Sequence, residues 1–167
     1  MCALWWRVFS LSSRKWTLKS RAFRGAPSSQ SMDLHELRTL LDFGMLVILW
    51  LVQGVIYPSF LKCEPGKLVS WHRAYTSRVA WLIIPVMFGQ LPVVAWHSWS
   101  RPNMANGCAL GALVLCWILT FAVSVPLHRK IDAGDTSALI VRRLIRTNWP
   151  RTILWTAAFV FGLLART

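Results

Sequence analysis

Two stretches of this 167-residue chain, Val79–Ser100 and Pro102–His128, contain no Asp, Glu, Lys or Arg. A soluble domain carries about 25% charged residues; this chain carries 15%, against 55% apolar residues. Long uncharged apolar runs need a solvent other than water, and about 20 residues of helix cross a hydrocarbon core of about 30 Å. The pattern excludes a disordered chain, a collagen-like chain and a disulfide-rich secreted module. Nineteen Lys+Arg against six Asp+Glu leave a formal net charge of +13. The positive residues fall between the apolar runs, which is the distribution of an integral membrane protein.

Four blocks follow from this reading. Phe43–Leu61 is interrupted only by Gln53, Val79–His97 carries Gln90, Pro85 and Pro92, and Met104–Leu127 has no formal charge. The prolines predict kinks rather than breaks, because neighbouring groups in a bundle can satisfy the freed carbonyls. The fourth block, Thr152–Ala165, lies between Arg151 and Arg166. It amounts to roughly 21 Å of helix. Arginines can snorkel from both of its ends, and Trp149 and Trp155 suit the headgroup boundary. The expected fold is an all-α integral membrane four-helix bundle, with spans at about 40–60, 79–98, 105–127 and 149–165.

Residues 1–31 hold six Lys/Arg, seven Ser and no acid. They read as a basic disordered extension or a mis-assigned start ahead of the single domain 32–167; a transit peptide is the alternative. Met32 opens a segment in which Asp33 and Glu36 have the spacing of a capping box. Without the tail, the links after spans one and three carry ten basic residues against three on the other side. That places both links in the cytoplasm, and the bacterial inner membrane is the expected location. Counting the tail levels the two sides. In the last link, Ile140, Val141, Leu144 and Ile145 face one way at helical spacing and Arg142, Arg143 and Arg146 the other. This predicts an interfacial amphipathic helix, capped by Asp135, Thr136 or Ser137, whose arginines hold anionic lipids of the bilayer rather than nucleic acid.

Polar groups in hydrocarbon are costly unless paired, so each is a candidate site. Asp42 and Gln53 share a helical face, with Tyr57 one turn on; His72, Gln90 and His97 share another. Depth gathers Gln53, Tyr57, His72, Tyr75, Arg78, Asn148, Trp149 and Arg151 at the rim bearing the basic links, with His128 nearby, while Gln90 and Asp42 belong to the far half. Imidazole can act as a base and guanidinium can stabilise an anion, so His72 and Arg151 are the candidate catalytic pair, with Arg78 the alternative to Arg151. An ordinary interfacial belt is the competing explanation, and interhelical hydrogen bonding is the competing explanation for Gln53 and Gln90. His35, His97 and His128, taken singly, read as surface or capping residues.

No metal and no cofactor is expected. Cys2, Cys63, Cys108 and Cys116 form no C-x-x-C pair, and no Walker, G-x-S-x-G or H-E-x-x-H motif is present. A b-type haem requires two His at similar depth on facing spans, and the apolar blocks supply none.

The residues Gln53, Tyr57-Pro58-x-Phe60, Trp71-His72-x-x-Tyr75, Pro85-x-Met87-x-x-Gln90 and Thr147-Asn148-Trp149-x-Arg151-Thr152-x-x-Trp155-Thr156 resemble those of a group of uncharacterised bacterial four-helix membrane proteins. Those commonly place an Arg after the Trp-Thr pair, where Ala157 and Ala158 stand here. The resemblance spans about Leu37 to Leu164. More distantly, the four-span layout with Asn148 and Arg151 is similar to anthrone-oxygenase-like membrane proteins, which implies oxygen addition to an aromatic ring without metal or flavin.

The functional expectation is an integral membrane protein that binds an apolar or aromatic small molecule at the polar rim. In its enzymatic form it is a cofactor-free oxygenase-like protein. The alternative is a structural or transporter-associated membrane protein; with four spans, a transporter requires an oligomer. An enzyme predicts a pocket reaching His72 and Asn148 together, and a carrier predicts a polar path from Gln53 to Gln90 and Asp42.

Overall fold

The computed structural model describes residues 33–165, and every regular element in that range is helical. Four helices follow one another: α1 (Leu34–Phe60), α2 (Pro65–Ser100), α3 (Met104–Asp132) and α4 (Ala138–Leu164). The first three are long and apolar enough to cross a membrane. The fourth is long enough, but Arg142, Arg143, Arg146 and Arg151 lie along it. Residues 1–31 and the expectations attached to them lie outside the described residues.

Local chemistry sets the helix starts. At α1 the Asp33 carboxylate accepts from the His35 N–H while Glu36 reaches back to the Asp33 N–H, the reciprocal pairing of a capping box. Asn103 caps α3 by accepting from the Asn106 N–H at 2.8 Å. Among the three candidates before α4, Ser137 is the cap, accepting from the Ile140 N–H. Helix α3 ends at Gly134, whose φ of +104° is open to glycine without a Cβ penalty.

The helices extend beyond the apolar blocks. Lys67, Arg73 and Arg78 lie on α2, which at 36 residues is about 54 Å long. The predicted interfacial helix is not separate: α4 runs unbroken through Pro150. The apolar face that was to lie on lipid is covered by protein. Ile140, Val141 and Leu144 are buried with Val52, Tyr57, Phe60, Leu68, Leu127 and Ile131 in the core at the basic end. A second core, toward the other end, gathers Met45, Leu49, Met87, Leu113, Cys116 and Trp155.

Two π-turns interrupt the α-helical ladder, at Val52–Ile56 in α1 and Thr120–Ser124 in α3. They are closed by Tyr57 N–H to Val52 O and by Val125 N–H to Thr120 O. In both, the next residue is proline, Pro58 or Pro126. Proline has no N–H to continue the i to i−4 pattern, and the widened turn before it accommodates the loss. Helix α2, by contrast, passes through Pro85 and Pro92 as regular α-helix.

Candidate functional site

Polar side chains in the interior form two centres. At the far end, Asp42 of α1 accepts from Gln90 Nε2 at 2.6 Å and pairs with the Arg38 guanidinium at 3.5 Å. Arg38 also donates to Asn106 Oδ1 at 2.5 Å. The Trp155 indole N–H donates to Gln90 Oε1 at 2.9 Å, joining α4 to the group. Gly162 makes this approach possible, because a Cβ there would stand 2.9 Å from Asp42 Oδ2.

The second centre lies at the basic end, where α2 begins and α3 finishes. Asp132 Oδ1 is 2.7 Å from His72 Nδ1, His72 Nε2 is 2.7 Å from His128 Nδ1, and His128 Nε2 is 2.9 Å from the Tyr57 hydroxyl. The Asp132 carboxylate fixes the direction of the whole chain. His72 donates from Nδ1 and must therefore accept at Nε2. His128 then donates from Nδ1 and accepts at Nε2 from the Tyr57 O–H. His72 is fully buried while the Asp132 side chain is 37% exposed, so one end of the chain meets the aqueous boundary. Arg73 braces that end, donating from Nη2 to the Asp132 carbonyl at 2.6 Å.

Arg151 lies beside the other end and is 6% exposed. It donates from Nη1 to Ser124 Oγ at 3.0 Å and to Asn148 Oδ1 at 2.8 Å. Its guanidinium sits over the Trp155 ring at 5.6 Å, and Arg151 lines the same cavity as Tyr57. Asn148 in turn donates to Gln53 Oε1 at 2.8 Å, and Gln53 donates to the Ile145 carbonyl. Among the described residues no carboxylate lies within ion-pair distance of Arg151. Burying a cation among neutral partners is costly.

A cavity of about 370 Å³ adjoins this centre. Leu49, Val52, Val79, Ile83 and Met87 are among its apolar lining, and Tyr57, Tyr75, Thr76, Ser124, His128, Arg129, Asp132 and Arg151 among its polar lining. Helices α2 and α3 touch on either side of it, through the His72–His128 bond and through Ser98 Oγ donating to the Asn106 carbonyl at 3.0 Å. Phe88 packs edge-on against Trp117 on the far side. Ile84, Phe88 and Phe121 line the cavity and are exposed on the outward surface of the bundle, which gives it a lateral apolar opening, and exposed Arg129 and part-exposed Asp132 line it at the basic end.

Of the residues expected at the rim, Gln53, Tyr57, His72, Tyr75, Asn148 and Arg151 come together. Arg78 is exposed, and Trp149 is half-exposed with its ring against Trp50; Gln90, expected in the far half with Asp42, is hydrogen-bonded to it there. The cavity does not reach His72 or Asn148 directly; each stands one hydrogen bond behind a residue that does, His128 and Arg151. Between Gln53 and Gln90 the contacts run through Asn148, Arg151 and the fully buried Trp155, whose ring faces the guanidinium and whose N–H donates to Gln90.

The sequence reading missed Asp132, Ser124, Arg38 and Asn106; it set His97 on an inward face and His128 near the rim, but read each, taken singly, as a surface or capping residue. His97 is buried against the His35 ring, and His128 is the central link of the chain. The available signal was spacing: His128 and Asp132 are four residues apart and share a helix face. The two histidines do stand at one depth on facing helices. Their nitrogens meet at hydrogen-bond distance, however, and a metal between two nitrogens needs roughly 4 Å. No set of three or more His, Cys, Asp or Glu among the described residues is arranged to hold a metal ion.

No family model, curated protein or solved structure matches the chain.

Proposed function

We propose that the chain is an integral membrane protein that takes an apolar or aromatic small molecule from the bilayer into the α2–α3 cavity. The apolar body of that molecule lies against Val79, Ile83 and Met87, and its polar end meets Tyr57, His128 and Arg151. The observation that carries this reading is the lining of the cavity: a largely apolar wall with a lateral apolar opening, and a set of polar groups that includes Tyr57, His128 and Arg151. The outward faces support a hydrocarbon surround, with Trp81 83% and Leu82 64% exposed beside many other large apolar side chains. Since α2 exceeds the thickness of a bilayer core, its basic first third stands among the headgroups and sets the polar end of the cavity at the interface. Arg142, Arg143 and Arg146 then face anionic lipids on the cytoplasmic side of a bacterial inner membrane.

The enzymatic version, an oxygenase-like reaction without cofactor, uses the same pocket. It places the base at the cavity-lining pair Tyr57–His128, with His72 behind it and Arg151 as the anion-stabilising group.

Mass spectrometry of small molecules retained after purification in mild detergent tests the binding reading. Ile83→Trp fills the cavity, whereas Leu82→Trp adds the same bulk on the outward face. The retained compound is expected to disappear from the first variant and to persist in the second. An equal amount in both overturns the assignment of the cavity as the binding site.

A further inference from the structure

We infer that the ligand of this cavity is an apolar weak acid, bound as its anion against Arg151, and that its proton leaves along Tyr57, His128, His72 and Asp132. The inference rests on the occupancy proposed above and adds the chemical class of the occupant.

Three observations converge on it. Arg151 is a buried cation whose protein partners, Ser124, Asn148 and the Trp155 face, are all neutral. Arg38 at the other centre has the Asp42 carboxylate. A cation left among neutral partners at the end of a cavity favours an anion there. The lateral mouth is lined by Ile84, Phe88 and Phe121. An anion does not pass cheaply through such an opening, whereas the protonated acid does. An acid that enters from the bilayer by this mouth therefore loses its proton inside. The hydrogen-bond chain begins at Tyr57, which lines the cavity, and ends at Asp132, which lines it too and whose side chain is 37% exposed.

The transfer balances without any redox change. The ligand hydroxyl gives its proton to Tyr57 Oη as Tyr57 passes its own to His128 Nε2. His128 Nδ1–H passes to His72 Nε2, and His72 Nδ1–H passes to the Asp132 carboxylate and on to water. Each ring ends neutral with its proton on the other nitrogen, and the net products are a bound anion beside the guanidinium and one proton in solvent.

The probe is 2-naphthol, which is neutral in water at pH 7 and changes its absorption spectrum on ionisation. The control is 2-methoxynaphthalene, which has no proton to lose. With the full chain in detergent, bound 2-naphthol is expected to show the naphtholate spectrum and to bind about 10-fold tighter than the ether, the scale of one charge-assisted contact. Arg151→Met should abolish the naphtholate band and level the two affinities. In stopped flow, His72→Gln and Asp132→Asn should slow the appearance of the band at least about 10-fold. Binding of the ether should keep its rate in both variants, which separates a broken proton route from a damaged fold. If 2-naphthol binds the wild type as the neutral phenol, or if the band forms equally fast in the two relay variants, this inference is overturned and the binding reading stands. If neither probe binds, both are overturned.

Discussion

Arg38 and Arg151 are both buried guanidiniums, but they differ in what balances them. Arg38 has a carboxylate four residues on. Asp42→Asn leaves that cation unpaired in the interior and should cost about 3–5 kcal/mol. Arg151→Met removes contacts to neutral groups and should cost less, about 1.5–3 kcal/mol. Thermal unfolding of both variants in one detergent gives the order, and an equal or reversed order would mean that Arg151 has a charge partner. Gly162→Ala forces a methyl group to 2.9 Å from Asp42 Oδ2, which Gln90 and Arg38 already hold in place. Overpacking of this kind should cost about 1–3 kcal/mol, read from the same unfolding curves. At this scale the sequence was half legible. Helical spacing put Gln53, His72 and Gln90 inside, because a polar group in an apolar run has only the interior to face. It could not assign partners: Gln90 and Asp42 were placed in the far half but their bond was not foreseen, His128 taken alone looked like a surface or capping residue, and Asp132 was missed.

The helices themselves were legible as charge-free runs, and their boundaries were not. Lys67 and Arg73 looked like loop residues because charge was taken as the edge of a span, yet a helix can project past the region in which charge is excluded. Arg142, Arg143 and Arg146 suggested a lipid-facing helix for the same reason, whereas the opposite face packs on Val52, Phe60 and Leu68. The π-turns left a trace in Pro58 and Pro126. Proline alone does not distinguish a widened turn from the unbroken helix found at Pro85 and Pro92. The turn joining α3 to α4 gives sharper tests. Gly134→Ala places a Cβ at φ +104° and should cost about 1–2 kcal/mol, while Ser137→Ala removes the cap of α4 and should cost about 0.5–2 kcal/mol. In the same turn the Ser137 hydroxyl and N–H both donate to Asp135 Oδ1, at 2.7 and 3.1 Å, and hold its carboxyl below the usual carboxylate range. A depressed folded-state value means that the carboxylate supports the turn at neutral pH. That support fades only as pH falls through the lowered value. NMR titration of the Asp135 carboxyl should therefore show a midpoint below that of an unstructured aspartate, and Ser137→Ala should move it upward.

For the molecule as a whole, the native cysteines probe the proposed orientation. Cys63 lies between α1 and α2 at the basic end, partly exposed, and Cys108 is exposed near the start of α3 at the other end. With Cys2→Ser to remove the thiol of the tail, a membrane-impermeant maleimide should modify Cys63 in inside-out vesicles and leave it unmodified in right-side-out vesicles. The basic residues of α2, α3 and α4 stand at that end, and basic ends stay in the cytoplasm. Burial raises the Cys63 thiol above its ordinary value, only partly offset by its hydrogen bond with Trp71. At pH 7 the reactive thiolate is therefore scarcer than for a free cysteine. Modification should be slow there and should quicken as pH rises, with the rate still climbing where a free thiol has levelled off. The pH dependence separates slow chemistry from an inaccessible side: a thiol on the wrong side stays unmodified at every pH. Modification from the right-side-out face alone would invert the orientation and put His72, His128 and Asp132 at the outer surface. Modification at equal rates in both vesicle types would mean that the basic end is not confined to one side.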